Sequence, residues 1–261
     1  DCSKNTIDWK YVGSSSGTAV KWVCYATSSV DKTKLSAIRE IAQTCSKSQI
    51  APPDEGASVQ IIMRDALGVK RLDGSPVAAN WLDKDDAPNE NDYSICLRVV
   101  FGDFVYSTCG DLDGQYKTNP NNHHYNDIES ATYKMMGEVD VMNVNHHGSE
   151  YSSNTNWTHG LNPTVSIISC GQNNKFKHPH KNTMKRLNEV SETIYLTNDC
   201  YRPSTEPFTK AKISSADIIM IVPKYSEYYL ITTPSGKISD VYKVKQNKRK
   251  PEPCEQLVSS R

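Results

Sequence analysis

The sequence predicts a layered α/β fold, and three observations carry that reading. Val139-Asp140-Val141-Met142-Asn143-Val144 is a valine-rich run bounded by Gly137 and Gly148, the pattern of a strand buried on both faces. Two further apolar runs of strand length, Val165 to Ser169 and Ile194 to Thr197, follow it. Helical periodicity flanks and separates these runs, over Ile128 to Met136 and Asn182 to Val190.

The bulk composition fits one domain over residues 1–261. At 261 residues and 37% hydrophobic content the chain can bury a core. Thirty basic against thirty acidic residues give no net field, so any nucleic-acid contact needs a local patch. No apolar run approaches the roughly 18 to 20 residues that span a bilayer, and Asp1-Cys2-Ser3-Lys4 carries no signal-peptide segment, so a soluble, mature or trimmed chain is expected. Eight cysteines without a Cys-x-x-Cys pair point to disulfides and a secreted, extracellular setting. Asn156-Trp157-Thr158 is a glycosylation acceptor that agrees with it.

In chain order, a strand is expected over Ala19 to Tyr25, then a helix capped by Asp31 or Thr33 and ending near Cys45. Val59 to Met63 reads as a strand, and Gly68 to Asn91 as a surface loop. Ser94 to Phe101 and Phe104 to Asp111 form a hairpin around Gly102-Asp103, with facing residue numbers that sum to 205. That register sets Cys96 opposite Cys109 at a non-hydrogen-bonded position, where a cross-strand disulfide is expected. A polar loop with His123 and His124 follows, and Gly137 stops the next helix. Ser152, Ser153 or Asn154 can cap a short helix, and Cys170 and Cys200, at neighbouring strand ends, make a second disulfide candidate. Ile218 to Val222, Tyr228 to Thr233 and Ile238 to Val244 form an antiparallel meander, and residues 245–261 a basic, solvated tail.

Asp111, His146 and His178 each follow an apolar strand, so a layered sheet brings them to one edge, where sites form. Imidazole is a metal ligand, glycine admits close backbone approach, and the Ser149 hydroxyl can hold a substrate oxygen. Lys175, Lys177, Lys181 and Lys185 add a basic cluster beside His178.

Asn91-Asp92-Tyr93-Ser94, Cys109-Gly110-Asp111-Leu112, His146-His147-Gly148-Ser149 and Gly171-Gln172-Asn173-Asn174-Lys175-Phe176-Lys177-His178-Pro179 occur in the order and at about the spacing found in metallo-β-lactamase-fold hydrolases. Over Val59 to Thr197 the chain resembles the hydrolase domain of ComEC-type DNA-uptake proteins. The resemblance implies an αββα sandwich with one or two zinc ions, or manganese, at its edge. By it Asp111 and His146 are metal ligands, His178 is the catalytic residue, and Asn91, His147, Ser149, Asn174 and Lys177 lie on the substrate side. Phe176 and Lys177 stand where that branch has tyrosine and glycine. The implied activity is metal-dependent hydrolysis of a phosphodiester such as nucleic acid by a metal-activated water.

The first metal motif of such proteins, His-x-His-x-Asp-His, is absent from residues 1–261, as are the strands before it. Three explanations follow. An N-terminal companion chain, or a segment of the same precursor, supplies the motif, held through Cys2, Cys24 or Cys254. The chain is a metal-free binding or structural glycoprotein on the same scaffold. Or His123, His124 and Asp127 form a substitute site.

Overall fold

The computed structural model describes residues 42–52, 54–64, 66, 69, 74–75, 90–118, 124–172 and 174–254. The chain divides into two units, Asp1–Ala42 and Gln43–Arg261, and the fold that follows is that of the second. The expected strand over Ala19 to Tyr25 and most of the helix begun at Asp31 or Thr33 lie outside the described residues.

Strand β1 (Ala57–Arg64) pairs antiparallel with β2 (Ile95–Phe101), which turns at Gly102-Asp103 into β3 (Phe104–Thr108). Facing pairs run from Phe101 with Phe104 to Leu97 with Thr108, the register read from the sequence. One step further out Cys96 and Cys109 form a disulfide with Cα atoms 4.0 Å apart, close as non-hydrogen-bonded pairs are.

The segment expected as a polar loop is a second hairpin, β4 (Gly114–Thr118) with β5 (His124–Asp127). Main-chain bonds hold it, so no apolar alternation announces it. Helix α1 (Glu129–Met136), strand β6 (Val141–Asn143), helix α2 (Thr155–Leu161) and strand β7 (Val165–Ile168) come next. Asn154 caps α2, its Oδ1 accepting from Trp157 N–H at 2.8 Å. Helix α3 (Lys181–Val190) buries Thr183, Met184 and Leu187 on one stripe and leads into β8 (Thr193–Leu196). The short helix α4 (Arg202–Thr205) and β9 (Ala211–Ile213) carry too few residues for any period to show. The meander is β10 (Ile219–Ile221), β11 (Tyr228–Thr232) and β12 (Ser239–Lys243).

Among the described residues the main sheet has the order β1-β2-β3-β6-β7-β8-β9, antiparallel across its first three strands and parallel from β3 onward. Strands β6 to β9 add in one direction, and right-handed crossovers then put every connecting helix on one face. Met142, Ile168, Ile194 and Leu196 point to that face and pack with Met136, Trp157, Leu161, Met184 and Leu187 of the helices. The alternate residues Val141, Val165 and Tyr195 point the other way, onto Tyr229, Ile231 and Tyr242 of the meander. The result is an α/β protein of three layers, helices on sheet on sheet. No helix among the described residues is long and apolar enough to cross a membrane.

Residues 245–254 of the basic segment dock against the fold. Asp140, fully buried, accepts from Val105 N–H and Lys245 N–H at 2.8 Å each and pairs with the Lys248 ammonium at 3.0 Å. Gly137, at φ +69°, lies so close that a Cβ there would sit 2.8 Å from Pro251 N. Cys254 is bonded to Cys45 with Cα atoms 5.5 Å apart, so one of the three cysteines considered for tethering a companion has an internal partner, and Cys2 and Cys24 lie outside the described residues. Cys170 and Cys200 pair as expected, their Cα atoms 5.3 Å apart.

Replacing Asp140 by alanine strands the Lys248 side chain, only 10% exposed, without its counter-charge. The expected loss is about 3–5 kcal/mol in denaturant unfolding. A loss below about 1 kcal/mol would show that the docked segment adds nothing to the fold.

Candidate functional site

The carboxyl ends of β3, β6, β7 and β8 open onto one cleft of about 1080 Å³. Its walls include Asn91, Asp111, His146, His147, Ser149, Asn174 and His178, seven of the residues singled out from the sequence. Lys177 is not among them; its backbone takes φ +60° and its side chain is exposed. Glu150, Tyr151, Lys175, Phe176 and His180 complete the ionic and aromatic lining.

The floor is the turn Asn145–Gly148, in which His146 and His147 both adopt left-handed backbone conformations, φ 48° and 54°. Gly148 follows at φ +76°, and a Cβ on it would stand 2.6 Å from the Pro179 Cβ, so only glycine lets the turn meet the His178 loop. His180 N–H donates to the Gly148 carbonyl at 2.8 Å, and the Thr183 hydroxyl to that of Ser149 at 2.8 Å. The Ser149 hydroxyl accepts from Tyr151 N–H at 3.3 Å, and the residue is 4% exposed.

Beneath the turn lies a residue the sequence did not single out. The fully buried Glu129 carboxylate accepts from the Asn145 amide at 2.7 Å, from Ser153 N–H at 2.6 Å and from Asn154 N–H at 2.7 Å. Arg186 reaches the same segment from α3, donating to the carbonyls of Ser153 at 2.6 Å and Ser152 at 3.0 Å. Both side chains are tuned by burial. It pushes Glu129 up to about 7 against the pull of its donors, with the field of Asp127 adding to it, and it lowers Arg186 against the fields of Glu129, Glu189 and Glu150. An acid in the first turn of a helix is commonplace, so the sequence held no signal for this role.

The four histidines differ. His146 turns Nδ1 to Asp113 Oδ1 at 3.4 Å and to the Asn91 amide nitrogen at 3.3 Å. Burial opposes charge on it, but the Asp113 contact and the fields of Asp111, Asp113 and Glu129 outweigh burial and raise its pKa. The imidazole that meets Asp111 is His147, its Nε2 being 3.4 Å from Oδ1. Because the Ser169 carbonyl, 2.8 Å from His147 Nδ1, can only accept, Nδ1 carries a proton, and Nε2 is the ring atom that faces Asp111. His178, 8% exposed, is pushed down to about 4 by burial and then by His146, His180 and His147. Its ring centroid lies 5.4 Å from that of His146 and 5.8 Å from that of Phe176.

The proposed substitute site lies in part outside the described residues. Asp127 accepts from Ser130 N–H at 3.0 Å and from the Asn154 amide at 2.9 Å, which ties it to the start of α1. His123 lies outside the described residues, and His124 is the first residue of β5. Asn156 is exposed on α2, with Trp157 1% and Thr158 0% exposed behind it.

The class is therefore an α/β protein with a histidine-rich cleft at the carboxyl edge of a mostly parallel sheet. No family model matches the chain. Over 149 residues, 57% of the chain, it is 27% identical to ComE operon protein 3 of Bacillus subtilis, of which this covers 18%. Over 66 residues, 25% of the chain, it is 36% identical to Recombination protein 2 of Haemophilus influenzae, of which this covers 8%. These distant relatives support the likeness to ComEC-type proteins, and the chain spans under a fifth of the length of either.

Glu129 ties stability to pH. A carboxyl whose folded pKa is raised from 4.5 to about 7 keeps a proton in the fold that the unfolded chain has released, so its contribution to stability falls as pH rises between those values, while His178, lowered to about 4, contributes in the opposite sense over part of that range. Glu129→Gln is expected to remove that slope from unfolding midpoints measured between pH 4.5 and 7.5. An unchanged slope would place the dependence on another group.

Proposed function

We propose that the chain handles nucleic acid by holding a phosphodiester in this cleft and hydrolysing it. The scaffold would be a metallo-β-lactamase-like sandwich of which the described residues form the helix, sheet and sheet layers. What carries the reading is the meeting of Asp111, His147 and His178, from three strand ends, in one open cleft of a chain related to ComE operon protein 3. The three disulfides among the described residues support an oxidising, extracellular setting for it.

In this reading His178 holds a phosphate oxygen. A neutral imidazole offers one N–H for that contact, and the charge of a bound phosphate works against burial, moving the ring toward a range in which it can give up a proton. Lys175 stands at the wall as the ammonium nearest an incoming anion. Asp111 and Glu150 bring two carboxylates to the same lining, so positive charge added at the centre would favour phosphate there.

Zinc or manganese is the cation the resemblance implies, and Asp111, His146 and His147 are ligand types it accepts. Yet among the described residues no group of three His, Cys, Asp or Glu side chains is set to hold an ion. Such a site wants three or four protein ligands. The described residues alone do not fit a metal, and the remaining ligands would have to come from outside them. The same count favours a second reading, a cleft that binds nucleic acid without cutting it.

Labelled single-stranded and duplex DNA, incubated with the full chain in manganese, in zinc and in chelator, separates the two. Cleavage with a divalent ion, abolished by chelator and reduced on the order of 100-fold or more in Asp111→Ala, is the expected result. Binding that persists in every condition without cleavage selects the second reading. Neither binding nor cleavage would sink both.

A further inference from the structure

We infer that Phe176 is a stacking platform for an unpaired nucleobase, which makes single strands the preferred occupants of the cleft. The inference rests on the phosphodiester reading above and specifies its substrate.

Large aromatic side chains carry enough apolar surface that one left in water on the wall of a cleft needs an explanation. Phe176 is 63% exposed and lines the cleft. Its ring stacks on His178 with centroids 5.8 Å apart and planes inclined by 29°. A base laid against it would extend a stack that already ends at a phosphate-holding imidazole. Lys175 Nζ lies 4.9 Å from the same ring centroid, so aromatic surface and positive charge sit together, the pairing that single-strand binders use.

The platform is also held in place. Phe176 N–H donates to the Asn174 side-chain oxygen at 2.9 Å, and its carbonyl accepts from the His180 ring at 3.2 Å. Both main-chain groups of the residue are thereby fixed, and little order is lost when a base arrives.

Duplex bases are already stacked and paired. Laying one on Phe176 requires unstacking it first, at a cost of a few kcal/mol that a single strand does not incur. Selectivity then comes from the aromatic ring and not from the charge of the cleft, which acts on both forms alike.

The test is equilibrium anisotropy at low salt, with manganese present. The full chain is titrated onto a labelled 20-nucleotide phosphorothioate DNA strand, which resists cutting, and onto its duplex. The wild type is expected to bind the single strand more tightly. Phe176→Ala is expected to lose about 5- to 100-fold in single-strand affinity with little change for duplex, as removal of one stacked base predicts. Phe176→Trp should keep the preference and show indole quenching on binding. Equal loss for both forms, or no loss for either, overturns the platform while leaving the phosphodiester reading intact. A wild type that binds neither form overturns both.

Discussion

A buried carboxylate and a half-buried guanidinium grip the same three residues from opposite sides. Glu129 takes the N–H groups of Ser153 and Asn154, while Arg186 takes the carbonyls of Ser152 and Ser153. This stretch belongs to neither helix nor strand, so its main-chain groups have no ladder to satisfy them, and buried main-chain groups are seldom left unpaired. Each charge-assisted contact contributes about 1.5–3 kcal/mol. The Asn145 amide joins the same carboxylate, so the clamp reaches both ends of the turn that carries His146 and His147. A floor with two consecutive residues in left-handed conformations persists only when its surroundings over-determine it, and these side chains do so.

The layers explain why the clamp is where it is. Parallel strands added in one direction leave their carboxyl ends on one edge and their helices on one face. Glu129 starts a helix of that face and Arg186 lies on another, so both can reach beneath the edge without entering the cleft. The opposite face is left to the meander, whose Tyr242 hydroxyl meets those of Tyr195 at 2.6 Å and Thr193 at 2.8 Å, with the Asp240 carboxylate accepting from Tyr195 beside them. Asp140 closes the arrangement by fastening the segment that leaves the meander to the central strands.

Much of this was legible in the sequence because it depends on local rules. The Gly102-Asp103 turn sets the register of its hairpin, and the register sets the Cys96–Cys109 pair. Chemistry at the ends of apolar runs converges because sheets align those ends, which is how Asp111, His146 and His178 came to share a cleft. What escaped depends on partners distant in sequence. The β4 and β5 hairpin is polar, β9 has three residues, and Glu129 acquires its role from Asn145 and residues 153–154. Lys177, placed by its neighbour His178, fell outside the cleft because the left-handed backbone at that residue turns the chain. The basic segment has the pattern of a tail, and the partners that dock residues 245–254, Asp140, Gly137 and Cys45, are all distant in sequence.

The centre and the rim of the cleft complement one another. At the centre, His147 Nε2 faces Asp111 Oδ1 across 3.4 Å. A carboxylate there opposes an anion, and positive charge beside it offsets that repulsion. At the rim, Phe176 offers attraction that requires no charge, since a base stacks on it through dispersion and desolvation. Lys175 adds the single ammonium of the lining. In the proposed reading a strand is held by its bases at the rim, and whether its phosphate is then cut rests on ligands from beyond the described residues.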